Sequence, residues 1–394
     1  MKRLDIVLVE FTPTGGLFQF AFGLGEALAR CGHDVELVTG DRPELSSSLQ
    51  NFRITPLLPS CPPDHPAARP VARSLRRAGC GLRYLEGWRR LARHLPARAP
   101  DVVQWGDLRF ALDGWLVSLI ARRLPSAKQA DIAHTPRPLR EYGRTGSLHK
   151  SGPLISRALG GAYALMDVVF VLGGRSRTQL SESWPMVRRV EVIHHGDLEA
   201  LRAGDVPDPG EAPPTALFFG TWARHKGLEV LLDAFEVVRS RLTDSRLVVA
   251  GPVGADVDYD KLEGRARAIG GIDLRPRYVP VADVPALLGS ARVVVAPYLD
   301  ANQSGVIHLA QTFARPVIAT DVGDLKDVVV DGREGLLVKA GDPGALAAAL
   351  ERVLRSPEQA TEMGRQGRAR LQREASWDVI GKRVAELYEE LVTT

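Results

Sequence analysis

Cysteine is scarce, long apolar runs are missing and neither sign of charge dominates. The 394 residues hold three cysteines, Cys31, Cys61 and Cys80, odd in number and unclustered. Their spacing fits no zinc site and shows no disulfide framework. No segment approaches the roughly 18 apolar residues of a membrane span. The apolar run from Ile6 to Val9 is closed off by Asp5 and Glu10, too short for a secretory leader. A reducing cytoplasm is the expected compartment. The 51 Lys and Arg against 47 Asp and Glu leave a net charge of +4, too mild to point to nucleic acid as a partner. Neither half carries the Gly-x-Gly-x-x-Gly fingerprint of a nicotinamide dehydrogenase. There is no short internal repeat.

What is present is ordinary globular material, 45% hydrophobic and 25% charged, at a length that favours two domains. Apolar, β-branched runs at residues 4–9, 33–40, 101–105, 128–133, 167–172 and 190–194 read as strands, with helix-period segments at 18–30, 110–123 and 154–166. Alternation of this kind predicts a parallel sheet. Residues 203–214 hold four prolines, several acids and two glycines, the composition of a linker. A second alternating series follows, with strands at 216–220, 246–251, 292–297, 316–320 and 335–339 and helices at 227–240, 284–288, 306–313 and 343–354. The expected fold is α/β, two doubly wound Rossmann-like domains facing a central cleft. Residues 1–204 form the first domain and 205–376 the second. Residues 377–394 form an amphipathic helix, with Val379, Ile380, Val384, Leu387, Tyr388 and Leu391 on one stripe, that packs back on the first domain.

Ligands of open parallel sheets bind beyond the carboxyl ends of the strands. Three segments leave strands at such points. In Gly220-Thr221-Trp222-Ala223-Arg224-His225-Lys226-Gly227 a glycine permits close backbone approach, and Arg224 and Lys226 supply charge for a diphosphate. In Asn302-Gln303-Ser304-Gly305-Val306 a helix opens, and its free amides and dipole attract an anion. A bare helix cap on Asn302 or Ser304 is the plain alternative, and it is compatible with phosphate binding. Gly15-Gly16 stands at the matching point of the first domain; alone it marks no more than a tight turn.

Together these pieces resemble the large family of retaining glycosyltransferases with the two-Rossmann GT-B architecture, the family 4 (group 1) type that includes sucrose synthase and many bacterial polysaccharide and antibiotic sugar transferases. The resemblance spans nearly the whole chain, from TPTGGLFQFAFGLGEALARCGHDVELVT through VEVIHHGDL, ALFFGTWARHKGLEVLLDAF and APYLDANQSGVIHLAQTFARPVIATDVG to SWDVIGKRVAELYEEL. It implies that Lys226 grips the donor diphosphate and that the amides of Gly305 and Val306 hold its distal phosphate. It implies that the backbone of Tyr278, Val279 and Pro280 recognises the base. Gly15 and Gly16 then approach the phosphates and the transferred sugar, and His134 contacts that sugar. Gly220, Thr221, Gln303 and Ser304 complete the donor set, and His134, Lys226 and Arg224 are the catalytic candidates. The chain departs from the family pattern at Thr221, where an arginine is usual, so that Arg224 is the candidate to replace its charge. It departs again at Ala301 and Leu309, where a pair of glutamates is usual. Gln-Ser-Gly-Val at 303–306 resembles a subset of the family.

The resemblance implies a hexosyltransferase that moves sugar from a nucleotide sugar, with UDP the commonest base, to an unidentified acceptor with retention. The nucleotide sugar is co-substrate rather than cofactor. No metal is expected, since no Asp-x-Asp motif sits where one would be required. A nucleotide-sugar epimerase of the same fold, or a catalytically weak sugar-nucleotide binder, are the rival readings. Between residues 69 and 98 nine arginines (69, 73, 76, 77, 83, 89, 90, 93 and 98) face one acid, Glu86, with Leu75, Leu82, Tyr84, Leu85, Trp88, Leu91 and Leu95 interleaved. A solvated basic face is the bland reading. The sharper one is an anionic or lipid-linked acceptor drawn in by a basic amphipathic helix, with peripheral membrane contact.

Overall fold

The protein's structure, a computed structural model, describes residues 2–59, 70–106, 108, 110–136 and 153–394, with the backbone alone for residues 70–77. The first half runs β1 (Asp5–Val9), α1 (Gly16–Arg30), β2 (Asp34–Gly40), β3 (Phe52–Leu58), α2 (Pro70–Arg98), β4 (Val102–Gly106), α3 (Ala111–Arg123), β5 (Lys128–Ile132), α4 (Pro153–Tyr163), β6 (Val168–Val171), α5 (Gly174–Ser183) and β7 (Val190–Val192). Its strands form one parallel sheet in the order β3-β2-β1-β4-β5-β6-β7. The second half runs β8 (Thr215–Phe219), α6 (Leu228–Arg241), β9 (Arg246–Ala250), α7 (Tyr259–Ile269), β10 (Ile272–Arg275), α8 (Val284–Gly289), β11 (Val293–Ala296), α9 (Gly305–Thr312), β12 (Val317–Thr320), α10 (Leu325–Val328), β13 (Gly335–Val338), α11 (Pro343–Arg355) and α12 (Pro357–Glu374). Its sheet order is β10-β9-β8-β11-β12-β13. A last helix, α13 (Trp377–Thr393), closes the chain.

The central strands read as unbroken apolar runs because helices cover both faces of the sheet; β6 (VVFV) and β11 (VVVA) are buried at every position. The strand order reverses between β1 and β4 and again between β8 and β11. Those two switch points are where a doubly wound sheet opens a crevice for ligand. The expected α/β architecture and the returning helix are both present. On α13, Trp377, Ile380, Val384, Leu387 and Tyr388 join the core beneath α1. The Tyr388 hydroxyl donates to Gln104 Oε1 on β4. Val379 falls outside this stripe, 45% exposed on the outer face.

Six elements escaped the sequence pattern, among them α10, whose four residues are too few to show a period. β3 contains Pro56 and β10 alternates half-exposed and exposed positions; each is an edge strand, where proline is tolerated and continuous burial is not required. The helices α5, α7 and α12 are predominantly polar, and α12 packs through small residues such as Ala360, Gly364 and Gly367.

Residues 203–214 are not loose. The buried guanidinium of Arg292 donates to Ala212 O and Leu354 O, each at 2.5 Å; Arg315 donates to Pro207 O and, at 3.1 Å, to Ala291 O. Gly210 N donates to Thr361 Oγ1 at 3.0 Å. The segment is strapped to the second half, and the chain leaves the first core earlier, between Ile193 and Leu198. Of the cysteines, Cys31 is a free, half-buried thiol, and Cys61 lies outside the described residues. Cys80 is disulfide-bonded, a correction to the sequence reading, because residue spacing carries no information on which thiols the fold brings together.

Candidate functional site

The second half builds its part of the site at the β8/β11 switch point. After β8 the chain turns at Gly220 (φ +109), which nests against the β9 loop so closely that a Cβ on Gly251 would lie 2.0 Å from Gly220 O. The backbone amide of Trp222, whose side chain is fully buried, donates to Pro252 O at 2.8 Å and fixes this pair of loops. A single 3-10 turn over Arg224–Lys226 then runs into Gly227, whose left-handed backbone (φ +69) passes so near Pro297 that no side chain fits. The turn is clamped by Leu299 N donating to His225 O at 2.7 Å. Lys226 is thereby held with its ammonium 3.9 Å from the centre of the Tyr298 ring. The Tyr298 hydroxyl meets Ser304 Oγ at 3.1 Å, immediately before α9.

Ser304 caps α9 without a side-chain bond to it, and the first helical amides have no carbonyl one turn back. A Cβ on Gly220 would lie 3.6 Å from Val306 Cγ2, so the glycine turn and the α9 N-terminus face one another. Gln303 Nε2 is buried beside them with no hydrogen-bond partner. Lys226, Gly220, Gln303, Ser304, Gly305 and Val306 form one polar, electropositive corner. Thr221 is exposed on its rim. Arg224 is turned elsewhere: its Nε donates to Asp256 O at 2.8 Å, its amide to Asp256 Oδ2 at 3.0 Å, and it lines a groove of about 460 Å³ between α6 and α7. The expectation that Arg224 replaces the charge absent at Thr221 is not met in this geometry, because Asp256 offers it a nearer acceptor. Leu309 is packed in the second core and Ala301 is half-buried, so neither position brings a carboxylate to the corner.

In the first half Gly15 (φ +82) and Gly16 open α1, and His134 follows β5. The half-buried Glu44 accepts from Gly15 N at 2.7 Å and from Gln19 Nε2 at 2.8 Å, and the hydroxyl of Tyr278 donates to its other oxygen. Burial and the Glu44 carboxylate push the Tyr278 phenol well above its ordinary pKa, so it remains a donor. Val279 and Pro280 follow at the rim, half-buried and exposed. His134 meets the edge of Phe20 at 4.9 Å; Phe20 in turn meets His195 at 5.4 Å and Trp377 at 5.1 Å. His195 Nε2 would touch a Cβ on Gly305 at 2.9 Å and its ring lies 5.0 Å from that of His308. His134 and the α9 N-terminus are thus joined across the cleft by Phe20 and His195. Burial lowers the pKa of both His195 and His308, the latter further through the neighbouring His195, and keeps the pair neutral.

Two further contacts bind the halves. Asp324, buried before α10, accepts from Arg175 N at 2.9 Å, Ser176 N at 3.2 Å and Ser176 Oγ at 2.7 Å, capping α5 from the other half. At the crossing, Trp377 donates from its amide to Asp197 Oδ2 at 3.1 Å and from its indole to Asp197 O at 2.7 Å. Glu44, Asp324, His195, His308 and Phe20 all went unnoticed in the sequence. The pair His194-His195 in VEVIHHGDL was its one visible hint. Among the described residues no group of three or more His, Cys, Asp and Glu is arranged to hold a metal ion, and no helix is long and apolar enough to cross a membrane.

Comparison with known proteins agrees with this layout. The profile of Glycosyltransferase Family 4 matches residues 14–199, and that of Glycosyl transferases group 1 matches residues 213–356. An alpha-maltose-1-phosphate synthase of Mycolicibacterium smegmatis is 27% identical over 75% of this chain and 80% of its own length. A D-inositol 3-phosphate glycosyltransferase of Corynebacterium urealyticum is 35% identical over 45% of this chain, a match that spans 43% of that relative. Among solved structures, Anabaena HepE in complex with UDP and glucose superposes with a TM-score of 0.71 at 13% identity, covering 98% of this chain and all of the other.

Proposed function

Because the chain belongs to the family 4, group 1 glycosyltransferases, we propose that it moves a hexose, with retention of configuration, from a UDP-sugar to a small anionic acceptor. The observation that carries this reading is the corner where Lys226, the Gly220 turn and the α9 amides converge at a switch point. An ammonium, a helix dipole and free N–H groups aimed at one spot suit a diphosphate. In this reading Lys226 and the amides of Gly305 and Val306 hold the leaving diphosphate. Gly15 and Gly16 close over it, His134 contacts the sugar, and the backbone of Tyr278, Val279 and Pro280 frames the base. The bond from the anomeric carbon to the phosphate oxygen breaks, and the acceptor oxygen bonds to that carbon on the same face. The acceptor proton passes to the departing diphosphate. Charge stabilisation rests on groups already in place, so no metal is needed in this scheme. A cytoplasmic setting, where nucleotide sugars are made, follows from the same reading.

On the acceptor, α2 favours a soluble anion over a bilayer. Trp88, Leu91 and Leu95 are spent on the core against β4, not presented outward. Arg89 and Arg90 both pair with Glu86, and Arg98 pairs with Asp5 and Glu36. Leu82 and Leu85 remain exposed, with Arg83 and Arg93 on the outer face. Arg69 lies outside the described residues, as do the side chains of Arg73, Arg76, Arg77 and Leu75. The names of the relatives point both ways, toward sugar or inositol phosphates and, in a phosphatidyl-myo-inositol mannosyltransferase, toward a lipid. Buried Leu309 favours a second reading, a binder of nucleotide sugar without turnover. Thermal shift with UDP-, GDP- and ADP-sugars tests the proposal, since stabilisation grows with ligand over dissociation constant. UDP-sugars should stabilise most and be slowly hydrolysed. Binding without hydrolysis or transfer favours the binder, and no response to any nucleotide sugar removes both.

A further inference from the structure

Glu44 belongs to none of the donor segments, yet it joins them. It lies on the loop after β2, its own amide donating to Pro13 O at 3.0 Å. Its carboxylate takes three donors from three places: the glycine turn (Gly15 N), the first turn of α1 (Gln19 Nε2) and the loop after β10 (Tyr278 hydroxyl). The first two belong to one half of the molecule and the third to the other. The next residue, Leu45, packs against the hydrophobic clusters of both halves.

Elsewhere the loop is held by Glu10 Oε1, which accepts from Thr12 N at 2.9 Å, and the Tyr278 phenol also meets the Gly15 backbone; Glu44 is the carboxylate at the Gly15 amide itself. A Cβ built on Gly15 or Gly16 would meet nothing within 4 Å. Side-chain packing at these two positions therefore does not restrain the turn, and a left-handed glycine imposes little restraint of its own. A hydrogen bond from its amide to a carboxylate does, being charge-assisted and directional. The same carboxylate reaches across the cleft to the phenol, so turn and base-side loop are fixed relative to one another only while the cleft is shut.

We infer that Glu44 is a positioning residue of the transfer reaction: its carboxylate, shared between Gly15 and Tyr278, sets the glycine turn over the donor when the two halves close. This rests on the glycosyltransferase reading of the cleft and adds to it the group that aligns the turn. Glu44 touches neither phosphate nor sugar in this role. Its effect falls on the step that needs the turn in place and hardly on capture of the nucleotide, which the second half holds.

The test compares wild type with Glu44→Ala, Glu44→Gln, Tyr278→Phe and the double variant Glu44→Ala/Tyr278→Phe, each first shown to melt cooperatively. UDP affinity is read by calorimetry and turnover by hydrolysis of UDP-glucose. Glu44→Ala should bind UDP within threefold of wild type while kcat falls tenfold or more. Glu44→Gln, which keeps an acceptor oxygen for Gly15 N, should recover part of that loss. The double variant should be no slower than Glu44→Ala alone, because both changes remove one shared contact. A folded Glu44→Ala with kcat within twofold of wild type overturns the inference; so does a double variant slowed by the product of the two single effects. Wild type that neither binds UDP nor hydrolyses UDP-glucose would instead strike the donor reading. In that event scattering of the free protein decides on Glu44: a larger radius of gyration in Glu44→Ala supports the clasp, and an unchanged one overturns it.

Discussion

Lys226 is poised before any ligand arrives, since the Tyr298 ring beneath it and the clamped turn around it limit where its ammonium can go. Removing the charge by Lys226→Ala should lower donor turnover a hundredfold or more, on the order of the ~3 kcal/mol expected for a charge-assisted contact to a transition-state anion. Near-normal kinetics in that variant would take Lys226 out of the site. The buried pair His195 and His308 makes a second prediction. Both have folded pKa values depressed below the unfolded 6.5, so beneath that pH the unfolded chain binds more protons than the folded one. Stability should therefore be full above about pH 6.5 and decline as the pH falls below it. Asp197, whose pKa burial raises, acts in the opposite sense at lower pH. His308→Gln should flatten the fall in melting temperature between pH 7 and 5.5, and an unchanged slope would show the pair to be irrelevant. Lys226, Gly305 and Val306 were legible because each follows a strand in a short segment that states its own chemistry. Glu44 and Asp324 were not, since their partners lie 234 and 148 residues away in Tyr278 and Ser176 and ordinary acids on loops look alike.

At the scale of elements, helix α13 shows how pattern and packing part company. Its 3.6-residue stripe announced a buried face and a return to the first half. The stripe could not say that Gly381 lets α13 lie so close to α1 that a Cβ there would sit 2.4 Å from Ala27 Cβ. Gly381→Ala gains helix propensity yet should cost about 1–3 kcal/mol through overpacking. Thermal melting checks this, and a stabilised variant would mean the helices can separate cheaply. Central strands were legible from their apolar runs because both faces are covered. The edges β3 and β10 were not, because an edge strand needs neither continuous burial nor freedom from proline. The stretch at 203–214 misled for a related reason: its composition is that of a linker, but Arg292 and Arg315 satisfy its carbonyls from beneath.

For the whole molecule, the cleft is held from opposite sides by Glu44 on Tyr278 and by Asp324 on the first amides of α5, with Asp197 and Trp377 at the crossing between. Closure of this kind gates many two-domain enzymes. Asp324→Ala should speed hydrogen exchange at the amides of Arg175 and Ser176, and UDP-glucose should slow it in wild type. Equal exchange in all three conditions would mean that the halves do not move. The crossing has a consequence for synthesis as well. The chain leaves the first half beside Asp197 and re-enters it at Trp377, and those two residues are hydrogen-bonded to one another. Residues 198–375 are in effect a module inserted into another. As the polypeptide emerges from the ribosome, the inserted module can complete its core while the host still lacks Ile380, Val384, Leu387 and Tyr388. The part that begins first is therefore finished last, and a nascent chain that stops short of α13 leaves the face of α1 open to water.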